Sequence, residues 1–120
     1  MLRFLVHVTC APTDATRAAL AFLVAKAATE EGHTVSLFLA GDAATLLKDE
    51  NLKTVTGLGT GRLEEHFNVL VQKGARFYVS GMSAKARGMS EADLTGKPAE
   101  FAMPNVLVRL AAEADRVITY

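Results

Sequence analysis

Few side chains in this 120-residue sequence could do chemistry: a single cysteine, Cys10, three scattered histidines, and the small and basic residues from Ser80 to Gly88. The run Phe77-Tyr78-Val79-Ser80 is rich in β-branched and aromatic residues and predicts a buried strand. Ser83 to Arg87 predicts a helical turn, closed by Gly88, which accepts the left-handed conformation a helix end requires. A strand therefore delivers its end to a helix N-terminus, where free backbone N–H groups and a partial positive charge favour an anion or a thiolate. Ser80 and Ser83 offer hydroxyls there, Lys85 and Arg87 offer positive charge, and Gly81 and Met82 complete the junction. A small anion is the ligand such a site is expected to hold.

The other candidates are weaker. Cys10-Ala11-Pro12-Thr13 has the form of a monothiol redox site, in which a helix dipole lowers the thiol pKa, but a lone cysteine also packs as a small apolar residue. Arg17 stands one residue away from the offset a phosphatase loop needs, and the glycines of such a loop are missing. Ser80 and Ser83 lack the Gly-x-Ser-x-Gly elbow of a serine hydrolase. Gly57-Leu58-Gly59-Thr60-Gly61 lacks the Gly-Lys-Ser/Thr of a P-loop and does not follow the first strand as a dinucleotide fingerprint does, so it predicts a mobile loop. One cysteine cannot form an internal disulfide, and the histidines make no i, i+4 pair, so neither a metal nor a cofactor is expected. Thirteen Lys and Arg balance thirteen Asp and Glu, which leaves no broad positive field for nucleic acid or an anionic membrane. The first apolar run is interrupted by Arg3 and His7 and is far shorter than the ~20 residues of a membrane span, so a cytoplasmic protein is expected.

The elements that must position these residues alternate between strand and helix patterns. Phe4 to Thr9 predicts a buried strand, and Thr13 can cap a helix that runs to about Glu31, with Leu20, Leu23, Val24 and Ala27 as its apolar face. Thr34 to Leu39 predicts a second strand, followed by Gly41-Asp42, a short helical piece from Ala43 to Leu47, and a polar link from Lys48 to Thr56. Leu63, Phe67, Leu70 and Val71 share a face of a helix ended by Gly74, and the strand Arg76 to Ser80 follows. Ser90 to Asp93 has the form of a capping box, Glu100 to Ala102 predicts a brief strand, Pro104 suits a helix first turn, and Val117 to Tyr120 predicts a last strand. This rhythm predicts one α/β domain over residues 1–120, a three-layer α/β/α sandwich with a parallel sheet. Ligands of such sheets lie beyond the carboxyl ends of the strands, which here carry Cys10, Asp42 and Ser80 to Ser83.

Taken together, several segments resemble the DsrE/DsrF-like family, with its YchN-like and TusD-like branches. They are the first strand and the long helix ending in Glu31-Gly32-His33-Thr34-Val35-Ser36-Leu37-Phe38, then Gly41-Asp42, Lys73-Gly74-Ala75-Arg76-Phe77-Tyr78-Val79, Ala84-Lys85-Ala86-Arg87-Gly88-Met89 and Ala114-Asp115-Arg116-Val117-Ile118-Thr119-Tyr120. The resemblance implies a five-stranded parallel sheet, assembly into trimers or hexamers, and, in some members, relay of sulfur as a cysteine persulfide. In those members the carrier cysteine ends the strand before the Arg-Gly helix, where this chain has Ser80. A serine hydroxyl cannot hold a persulfide sulfur, so the expected role is that of a homo-oligomeric relative of relay proteins without their usual activity. Any catalysis would be at most sulfurtransferase-like, through Cys10 as a substitute thiol. The partners expected are further copies of the chain and either a sulfur-relay protein or a small anionic ligand.

Overall fold

A computed structural model describes residues 1–120. Its five long-range strands are β1 (Arg3–Val8), β2 (Thr34–Leu39), β5 (Arg76–Ser80), β6 (Ala99–Ala102) and β7 (Arg116–Thr119), ordered β6-β5-β2-β1-β7. Every neighbouring pair in this sheet is parallel. This is the predicted α/β architecture. The helices are α1 (Ala15–Glu30), α2 (Asp49–Thr54), α3 (Leu63–Gln72), α4 (Gly81–Ala86) and α5 (Pro104–Glu113), and a two-stranded antiparallel hairpin joins β3 (Thr56–Gly57) to β4 (Gly61–Arg62).

The two faces of the sheet are covered very unequally. Val6, Val8, Leu37, Leu39, Phe77 and Val79 point to the side of α1 and α3, where they belong to a cluster of 24 buried residues. The alternate residues of the sheet point to α5, where the buried apolar side chains are only Leu5, Phe38 and, from β6, Ala102. Val106, Leu107, Leu110 and Ala111 of α5, with Ala114 just after it, close over them but stay partly exposed. A parallel sheet ordinarily has both faces covered, so the α5 layer is thin for its class.

Several local expectations need correction. The buried face of α1 is Ala18, Ala21, Phe22, Ala25 and Ala28, whereas Leu20, Leu23, Val24 and Ala27 lie on its outer side. Small alanines let the helix approach the sheet closely, with Phe22 filling the remaining space against Phe77 at 6.0 Å between ring centroids. The residue at the N-terminus of α1 is Asp14 instead of Thr13, and it makes no side-chain cap. The link after Lys48 contains α2, held partly by Lys97, whose Nζ meets Asp49 Oδ1 at 2.8 Å. The glycine-rich stretch forms the β3–β4 hairpin packed on α1: the Thr16 hydroxyl accepts from the Leu58 N–H at 3.0 Å, and the Thr60 hydroxyl donates to the Thr16 carbonyl at 3.0 Å. The Ser90 capping box forms as expected, the Ser90 N–H donating to Asp93 Oδ2 at 2.9 Å.

Candidate functional site

The β5–α4 junction is built by hydrogen bonds that its own residues make to one another. β5 ends at Ser80, which is 7 % exposed and caps α4: its Oγ accepts the Ser83 N–H at 3.3 Å. Ser83 in turn accepts the Gly41 N–H on its Oγ at 2.9 Å, tying α4 to the chain leaving β2. One turn later the Arg87 guanidinium reaches back, donating to the Ser83 carbonyl at 3.1 Å and to Asp42 Oδ1 at 2.8 Å. Asp42, Ser80 and Ser83 are thus brought together with Arg87, whereas Cys10, expected at the same strand-end edge, is not among them. Their polar groups largely satisfy each other. Gly81 is half-buried, Met82 is 62 % exposed, and Lys85 is exposed without an ion pair beside a cavity of ≈180 Å³ lined by Gly81, Ala84, Met89 and Phe101.

Cys10 takes no part in this network. It follows β1, on the far side of β2 from β5, and packs half-buried against the main core. Burial pushes its thiol above the usual cysteine range, and Asp14 pushes the same way, against weaker lowering by a backbone hydrogen bond and Arg17. The environment is therefore the opposite of the electropositive one that activates a thiol.

Sequence reasoning missed a second set of residues beside Gly81. Tyr78, Glu100, Phe101, Met103, Asn105 and Arg109 line a cavity of ≈430 Å³ between β6 and the start of α5. Arg109 belongs to none of the ion pairs. Two signals could have found this cleft: period-two alternation puts Tyr78 opposite Phe77 and Val79, and Asn105 and Arg109 are an i, i+4 pair on α5. On the same sheet face, His7, Phe38, Tyr78 and Glu100 stand in register across four strands. His7 Nε2 is buried without a hydrogen-bond partner, and burial lowers the pKa of its ring. The other two histidines hold backbone: His33 Nδ1 accepts the Leu2 N–H at 2.9 Å, and His66 Nε2 meets the Thr60 carbonyl at 2.7 Å. No three His, Cys, Asp or Glu side chains converge as metal ligands. No helix is long and apolar enough to cross a membrane.

The chain belongs to the DsrE/DsrF-like family, whose model matches residues 3–120. Among solved structures it is similar to the YchN protein of E. coli, at 20 % identity over 100 % of both chains with a TM-score of 0.80. It also resembles a conserved protein of unknown function from Bacteroides thetaiotaomicron, at 11 % identity over 98 % of this chain and 94 % of that one, with a TM-score of 0.64. Identities this low speak for the fold alone. No curated protein matches the chain.

Proposed function

We propose that this DsrE/DsrF-like protein is a cytoplasmic homo-oligomer that acts as a binding or assembly partner and carries no persulfide at the strand end. The observation that carries this reading is Ser80: a buried hydroxyl committed to capping α4 through the Ser83 N–H. Oxygen there has no sulfur chemistry to offer, and Cys10, half-buried with a less acidic thiol, is a poor substitute. A single cysteine outside any disulfide suits a reducing compartment. The thin α5 layer, with Val108 68 % and Val117 48 % exposed, supports assembly into a trimer or hexamer that would cover it. Incubation with a persulfide donor followed by mass spectrometry is expected to leave the protein unmodified, and a sulfur adduct on Cys10 would overturn the reading. Light scattering at micromolar concentration is expected to give the mass of three or six chains, and a monomer would remove the assembly half of it.

A second reading rests on the ≈430 Å³ cleft at Gly81, whose size lies within the range of small-molecule sites. Its apolar walls, Phe101, Met103 and Val106, and the free cation of Arg109 suit a small organic anion. Titration with benzoate, read by amide chemical shifts, is expected to move Gly81 and Asn105; shifts spread evenly over the surface would discard this reading.

A further inference from the structure

Helix α1 is apolar on both sides. Its inner face is buried against the sheet, while Leu20, Leu23, Val24 and Ala27 recur at i, i+3, i+4 and i+7 and form a stripe on the opposite side. None of the four packs into either buried cluster: the first three are half-buried and Ala27 is exposed. The hairpin prolongs the stripe. Leu58 at its tip is 90 % exposed, and its N–H bond to Thr16 places it one turn before Leu20. A helix with an apolar outer stripe opposite its buried face, between polar flanks that carry Lys26 and Glu30, gains from an occupant on that stripe.

The charges at the ends of the stripe indicate which. Arg17 stands at its N-terminal end and Glu31 at its C-terminal end, on the same flank of the helix, and neither belongs to an ion pair within the chain. A surface with opposite charges at opposite ends is complementary to itself when turned end for end. We propose that α1 docks antiparallel on α1 of a second copy about a two-fold axis near Val24, Arg17 of each chain facing Glu31 of the other and Leu20 packing towards Ala27. Such an isologous contact repeats each interaction twice, and Leu58 of each hairpin extends it. The inference rests on the homo-oligomeric reading above and assigns its two-fold contact; in a hexamer it would join two three-fold rings.

Charge exchange tests it. Wild type, Arg17→Glu, Glu31→Arg and the double variant are compared by light scattering at one protein concentration, with circular dichroism confirming that each is folded. Each single reversal sets like charges face to face and is expected to halve the mass, and the double variant is expected to restore it. Leu23→Asp is expected to halve the mass without rescue by any charge change. Single variants that keep the mass of an oligomeric wild type overturn the α1 contact and leave assembly intact, as does a double variant that fails to restore it. A trimeric wild type also overturns it, because a closed three-fold ring contains no two-fold contact. A monomeric wild type overturns both the contact and the assembly it rests on.

Discussion

Two substitutions of Ser80 in the strand-end site are expected to act in different ways. Ser80→Ala removes a buried cap and leaves the Ser83 N–H without its acceptor, which costs about 1 kcal/mol and lowers the urea midpoint without changing the slope. Ser80→Cys, made in a Cys10→Ala background so that one thiol is counted, keeps nearly the same volume under the same N–H. Its thiolate is expected to form below the ordinary ~8.5 of a free cysteine, read by the pH dependence of alkylation. A titration at or above that value would mean that burial at this position outweighs the backbone donor. Of this site, residue types that mark strand ends and a helix start made Asp42 and Ser80 to Ser83 legible, but the same reasoning also put Cys10 at that edge, and Cys10 follows β1 on the far side of β2. Residue type could not reveal that Arg87 is tied to Asp42, since that bond depends on how the chain leaving β2 turns over α4.

His7 carries a pH dependence of definite sign. Burial lowers its pKa in the folded chain below the ordinary 6.5, so the unfolded chain takes up a proton first as the pH falls. The contribution of His7 to stability is therefore complete above pH 6.5 and is lost as the pH drops through the lower, folded value. Melting curves of wild type at pH 5.5 and 7.5, set beside those of His7→Phe, are expected to show a smaller pH effect in the variant. An equal effect in both would assign the dependence to other groups.

At the scale of elements, periodicity located every strand of the main sheet but misassigned the inner face of α1. Leu20, Leu23, Val24 and Ala27 satisfy the helical spacing as well as any core face does. What decided orientation was packing distance: alanines and Phe22 fit the narrow gap to the sheet, and a helix apolar on both sides gives its pattern no preferred direction. The glycine-rich hairpin was illegible for a related reason, since its fixity comes from contacts with distant residues. A Cβ on Gly57 would collide with the Thr60 hydroxyl and come within 3.0 Å of Thr16 Cα, and one on Gly61, whose φ is +83°, would lie 2.8 Å from His66 Nε2. Gly61→Ala is thus both strained in its backbone and crowded against a buried ring. It is expected to cost roughly 1–3 kcal/mol, measured by urea unfolding. A loss of only a few tenths would show that the hairpin can shift away from α3.

For the whole molecule, the imbalance between the two faces of the sheet governs stability. One face buries a cluster of 24 residues; the other buries three and leans on a single ten-residue helix, none of whose residues is itself buried. Burial of apolar surface is the main term opposing chain entropy, so an isolated chain forgoes part of what its class of fold ordinarily gains. Contacts between copies would supply the missing part, and stability would then depend on protein concentration through mass action. The melting temperature is expected to fall by a few degrees for each tenfold dilution, because an unfolding oligomer releases separate chains and gains translational entropy that an unfolding monomer does not. Val108→Asp is a useful second measurement. Val108 lies on the flank of α5 away from Val106 and Arg109, and it is already 68 % exposed, so the substitution removes little packing within one chain. If copies cover that flank, the variant melts lower and loses mass by light scattering; if they do not, it melts close to wild type. A melting temperature unchanged over a hundredfold dilution would mean that the thin face is stable in water as it stands.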